Sequence, residues 1–218
     1  MLHRYLAVCA LSLCAAASAL QAQTAQCSVS AVPSQVRAEG VTERLGDLVL
    51  QCMATPSSTL SGNLTVYVTP APVNITDRID TASNSLDAVL SVNYGTGLVP
   101  TSYRGMVSGS SIAFNGIALT VPAGGSLSLQ VSGLRADVSQ LGSTPRAVVA
   151  DVSFSVPLNV STATVAYSQP SLYATLYATG IACAGSPLPA TLDLAHLFAA
   201  GTAFASTRFT ESFASAFQ

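Results

Sequence analysis

Apolar and polar positions alternate along much of this chain. In Leu64-Thr65-Val66-Tyr67-Val68 the apolar residues fall at 64, 66 and 68, and in Leu127-Ser128-Leu129-Gln130-Val131 at 127, 129 and 131. A period of two gives a strand one face on a core and one face in water. Short segments rich in Val, Leu, Ile, Thr and Ser recur about every ten residues, separated by Gly, Pro, Asn and Ser, as in all-β sandwiches. The pattern predicts an antiparallel β-sandwich of immunoglobulin or pilin type. Its expected strands are 27–32, 47–53, 63–69, 88–94, 111–114, 117–121, 126–131, 147–156, 164–168 and 171–180.

Two turn signals refine this. Asn115-Gly116 lies between apolar runs and predicts a tight hairpin. Ala123-Gly124-Gly125 predicts a second, so residues 111–132 are expected to form a three-stranded meander. Helix is expected only near the C-terminus. Leu192 to Ala200 is ambiguous, and Phe209, Phe213 and Phe217 share one face of either a helix or a strand. The alanine content and Thr210-Glu211 favour a short helix over 207–217.

The first 22 residues change every later count. His3 and Arg4 precede an apolar run from Tyr5 to Leu20, as in a secretory signal peptide, with cleavage after Ala22 or Ala19. That run is shorter than the roughly 20 residues of a spanning helix, and no later segment predicts a transmembrane span. Residues 23–218 are then expected to form one secreted domain. The expected mature chain keeps Cys27, Cys52 and Cys183, an odd number for an oxidising compartment. Cys27 and Cys52 both fall in strand-like stretches and are the favoured disulfide. Cys27 with Cys183 is the alternative pairing.

Charge narrows the function classes. The 218 residues are 50% hydrophobic and 8% charged, with eight Arg, no Lys and no Trp, against a usual charged fraction of about 25%. Net charge is -2, so no basic footprint for nucleic acid exists.

Catalytic sets are also thin. His196 is the only histidine beyond the leader; with Asp193 it would have to serve any Ser-His-Asp site, yet it sits in the apolar run Leu194-Ala195-His196-Leu197-Phe198, and no Gly-x-Ser-x-Gly elbow is present. One histidine and scattered cysteines make no zinc site. Asn74, Asp77, Asp80, Asn84 and Asp87 offer five oxygen donors, but lack the order and central glycine of an EF-hand, so a polar turn is the preferred reading over calcium. The sequence therefore predicts a non-enzyme with no cofactor. Tyr94, Tyr103, Tyr167, Tyr173 and Tyr177 are the aromatic candidates for a ligand platform.

The stretch from Cys27 to Cys52, with Cys27-Ser-Val-Ser-Ala-Val-Pro33 and Val36-Arg-Ala-Glu-Gly-Val-Thr-Glu-Arg-Leu-Gly-Asp-Leu-Val-Leu-Gln-Cys52, resembles the opening of a group of uncharacterised secreted β-rich surface proteins of soil bacteria. Phe209 to Phe217 resembles their closing segment. More loosely, the chain is similar to spore-coat-U-like pilin subunits, in which cysteines at the places of Cys27 and Cys52 bridge the first two strands. It departs from them in its length and in the charged insertion 37–47. The resemblances imply a secreted location and a β-rich character. The low charge, which leaves strand edges poorly guarded, predicts a secreted structural subunit of a cell-surface or extracellular fibre or adhesive layer that acts by self-association, with strand complementation as one route if segment 23–32 or 203–217 leaves its own sheet. The alternative is an extracellular module that binds a surface glycan or other ligand.

Overall fold

Alternating strands with one apolar face must bury that face, and here two sheets bury theirs against each other. The computed structural model describes residues 25–77, 79–80, 85–178, 205–214 and 216. The first sheet runs, edge to edge, β10 (Val99–Pro100), β9 (Val89–Asn93), β13 (Ser126–Ser132), β4 (Leu48–Met53), β1 (Gln26–Ala31) and β16 (Leu158–Val160). The second runs β11 (Gly105–Ser108), β12 (Ser111–Val121), β5 (Ser58–Thr69), β15 (Arg146–Phe154), β17 (Thr162–Gln169) and β2 (Ser34–Arg37). A three-stranded sheet of β3 (Glu43–Arg44), β14 (Arg135–Asp137) and β6 (Asn74–Ile75) closes one end. Two ribbons complete the set: β7 (Ile79–Asp80) with β8 (Ser85–Leu86), and β18 (Leu172–Ala178) with β19 (Ala205–Glu211).

The core follows from the alternation. Leu48, Leu50 and Cys52 of β4 meet Leu64, Val66 and Val68 of β5, with Ile112 and Phe114 of β12 and Leu127 and Leu129 of β13, in one contiguous buried cluster. The intervening residues face outward and are mostly hydroxyls and amides. Cys27 and Cys52 form a disulfide between register partners on β1 and β4, on the core side of the first sheet.

Three expectations change. Asn115-Gly116 does not turn the chain: β12 is one strand, and these two residues form a bulge between the pairs Phe114 with Leu64 and Ile117 with Gly62. The Gly116 N–H donates to Asn63 Oδ1 at 3.0 Å, and Gly116 takes φ 68°. A glycine in left-handed backbone serves a bulge as well as a hairpin, and a long partner strand, β5, selects the bulge. The turn at 122–125 joins the two sheets, with the Gly124 N–H donating to Ala54 O at 3.1 Å, so the meander over 111–132 does not form. The expected helix over 207–217 is instead the strand β19 and a following turn; seven residue pairs with β18 satisfy its backbone, and the β-prone Thr207-Arg208-Phe209-Thr210 favours that outcome. The leader 1–22, the ambiguous Leu192 to Ala200, Cys183 and His196 lie outside the described residues.

Candidate interaction surfaces

Among the described residues, ion pairs gather at one end of the sandwich. Arg37 Nη2 lies 2.6 Å from Glu43 Oε1, Arg44 pairs with Asp47 at 3.7 Å, and Arg135 pairs with Asp87 at 3.7 Å. All three pairs flank the small sheet of β3, β14 and β6. Part of the reason is local: the charged stretch 37–47 supplies β3, and β14 brings Arg135 beside it through the register Arg135 with Arg44. Exposed pairs of this kind contribute little stability each, so their effect is mainly to keep charges close together.

Asp77 stands apart. Its Oδ1 accepts the Arg135 N–H at 2.7 Å, yet burial raises its pKa from 3.8 to about 6, with the Asp87 carboxylate pushing the same way and that N–H opposing. Of the five oxygen donors considered for calcium, Asp77 and Asp87 are thus turned to Arg135, and Asn74 lies exposed in β6. Among the described residues no group of three His, Cys, Asp or Glu side chains could hold a metal ion.

The opposite end is bare. β1 begins there at Gln26 beside Met53, the end of β4; the turn 122–125 packs on Ala54; and the Cys27 N–H donates to Pro157 O at 3.2 Å, bringing in the loop 155–157. Loops 54–57, 94–98, 122–125 and 155–157 carry no charged residue. A shallow groove of about 490 Å³ opens at this end, lined by Gln26, Ser28, Gln51, Met53 and Asn159 among others. A second open groove, about 570 Å³, lies toward the charged end between Ser30, Val32, Arg44, Asp47 and Gln130.

The sheet edges differ in how they are guarded. Natural edges are protected by proline, charge or bulges. β10 carries Pro100, Pro157 precedes β16, and β2 carries Arg37. β11 has none of these within its four residues, Gly105-Met106-Val107-Ser108. Met106 is 65% exposed and Val99, on the neighbouring edge of the other sheet, 58%. Val107 on β11, and Tyr94 and Leu98 in the loop at the bare end, are exposed as well. Between Ala88 and Leu134 the only charged residue is Arg104. Exposed apolar side chains on this side thus fall on the edges of both sheets, with exposed Arg104 between Val99 and Met106 in the chain.

The tyrosines divide. Tyr103 is taken up by the fold: its hydroxyl donates to Ala118 O at 3.2 Å and accepts the Ala118 N–H at 2.9 Å. Tyr94 is exposed beside the bare end, Tyr173 is exposed on β18, and Tyr167 is 45% exposed on the outer face of the second sheet. Tyr67, equally exposed on that face, is not among the sequence candidates, although its odd place among Leu64, Val66 and Val68 already points it outward. Tyr177 lies on β18.

No protein-family model and no curated protein matches this chain. Among solved structures one match is BslA, described as a bacterial hydrophobin, at 11% identity over 65% of this chain and 91% of that one, with a TM-score of 0.29. A likeness so distant bears on neither the fold nor the function. Among the described residues no helix is long and apolar enough to cross a membrane.

Proposed function

We propose that this protein is a secreted structural subunit of a cell-surface or extracellular layer, working by association with copies of itself. The observation that carries this reading is the β11 edge, which has no proline, charge or bulge within the strand itself, together with the exposed apolar residues Tyr94, Leu98, Val99, Met106 and Val107. Apolar surface of this kind gains free energy when covered, and a free strand edge offers backbone donors and acceptors to another strand. The disulfide and the leader-like N-terminus support an extracellular setting. Sedimentation of the mature chain over a wide concentration range tests the proposal. Association that Met106→Lys abolishes, with circular dichroism unchanged, supports it. A wild-type chain that stays monomeric throughout overturns it.

A second reading has its own observation. Tyr67 and Tyr167 stand exposed on an outer face with Thr65, Thr69, Thr162 and Thr164, and with exposed Asp151 paired in register with Tyr67 and Thr162, a surface of aromatic, hydroxyl and carboxylate groups of the kind that binds glycans. Glycan-array binding lost in Tyr67→Ala would favour that reading over assembly.

A further inference from the structure

The strand β18 reads Leu172-Tyr173-Ala174-Thr175-Leu176-Tyr177-Ala178, two copies of Leu-Tyr-Ala around a central Thr175. One edge pairs with β19 in the register Leu172 with Glu211 through Ala178 with Ala205. Among the described residues the other edge pairs with no strand, and residues 172–175 and 207–210 are exposed. The ribbon is fixed at its root: the Ser171 N–H donates to Glu39, the Ser212 N–H donates to Ser171 O, and the Ser212 hydroxyl donates to Pro170 O. A two-stranded ribbon alone is marginal in water, and this free edge carries no proline and no charge. The ribbon's charges, Arg208 and Glu211, are both on β19.

We propose that the free edge of β18 pairs antiparallel with the same edge of a second copy, about a twofold axis at Thr175, to make one continuous four-stranded sheet. This rests on the self-association proposed above and names one of its joints. The order of residues selects a second copy as the occupant. Centred on Thr175, the pairing sets Leu172 in register with the partner's Ala178 and Ala174 in register with the partner's Leu176, a large residue with a small one in both. Tyr173 and Tyr177 take register positions opposite each other across the axis, a residue pairing favoured between neighbouring strands. The charges are compatible too. Arg208 sits opposite Thr175 within the ribbon, so the two copies of Arg208 lie three strand spacings apart, about 14 Å, beyond the ~8 Å screening length at physiological salt. A seven-residue strand pair is small beside the ~1,200 Å² or more of a stable interface, so the joint is weak and concentration-dependent unless other contacts add to it. An isologous joint of this kind closes a dimer by itself.

Cysteine scanning in a Cys183→Ser background tests the axis. Thr175→Cys places two thiols directly opposite each other and is expected to give a disulfide-linked dimer under mild oxidation. Tyr173→Cys leaves its two thiols about 13 Å apart along the strands, beyond disulfide reach, and is expected to lose the dimer. Thr175→Lys and Thr175→Glu test the same axis without a new thiol: each alone should weaken association, and mixing the two should restore it. If the wild type associates but Thr175→Cys cross-links no better than Tyr173→Cys, or mixing restores nothing, the β18 joint is overturned and self-association stands. If the wild type never associates, both fall.

Discussion

Asp77 is the residue whose chemistry departs most from its ordinary value. It holds its proton more tightly in the folded chain, at about 6, than in the unfolded chain, near 3.8. A carboxylate raised on folding stabilises the acid-bound form, so its contribution is greatest below pH 4, declines as pH rises toward 6 and stays lost above that. Asp77→Asn should keep the acceptor for the Arg135 N–H, flatten thermal stability between pH 4 and 6, and raise the melting temperature at pH 7. An unchanged slope would assign the pH dependence to another group. The disulfide makes a larger prediction. Replacing Cys27 and Cys52 together with Ala should lower stability in urea by about 3 kcal/mol, as expected for a closed loop of this length. Both cysteines were legible because each lies in an alternating apolar segment. Asp77 was not, because the burial that shifts it depends on β14, which is far away in sequence.

At the scale of elements, two glycines do different work. Gly116 sits in the β12 bulge with left-handed backbone and open space where a Cβ would go, so Gly116→Ala should cost only the conformational strain, about 1–2 kcal/mol. Gly46 packs directly on the Val32 and Val165 carbonyl oxygens, with its own N–H donating to Val165 O at 2.8 Å. Gly46→Ala forces backbone apart and should be the more damaging substitution, measured by chemical denaturation of the two variants side by side. The period-two segments identified most strands because burial on one face is written locally. The role of Asn115-Gly116 was not, since a bulge and a hairpin share the same residue chemistry and only the partner strand β5 separates them. The C-terminal strand was missed for a related reason: phenylalanines four apart suit either periodicity, and the pairing with β18 decides between them.

For the whole molecule, the low charge noted in the sequence becomes a matter of placement. Association through the β11 and β18 edges joins surfaces that carry almost no charge. It should therefore change little between about 50 and 500 mM sodium chloride, a range over which the Debye length shrinks severalfold, and should strengthen in sulfate, which favours apolar burial. Sedimentation across that salt series checks both. A steep loss of association with salt would point instead to the ion-paired end as the contact. The sequence showed that charge was scarce and that 37–47 held much of it, but not that Asp87 and Arg135 join the same cluster, because only the register of β3 with β14 brings them there.

Among the described residues, ion pairs collect beside the small sheet and the loops at the far end carry no charge, so the two ends of the sandwich differ. At a boundary between water and a less polar phase, that difference favours placing the charged end toward water. Copies gathered there would share that orientation before any strand pairs with another, and a sheet of them would present a different surface to each side.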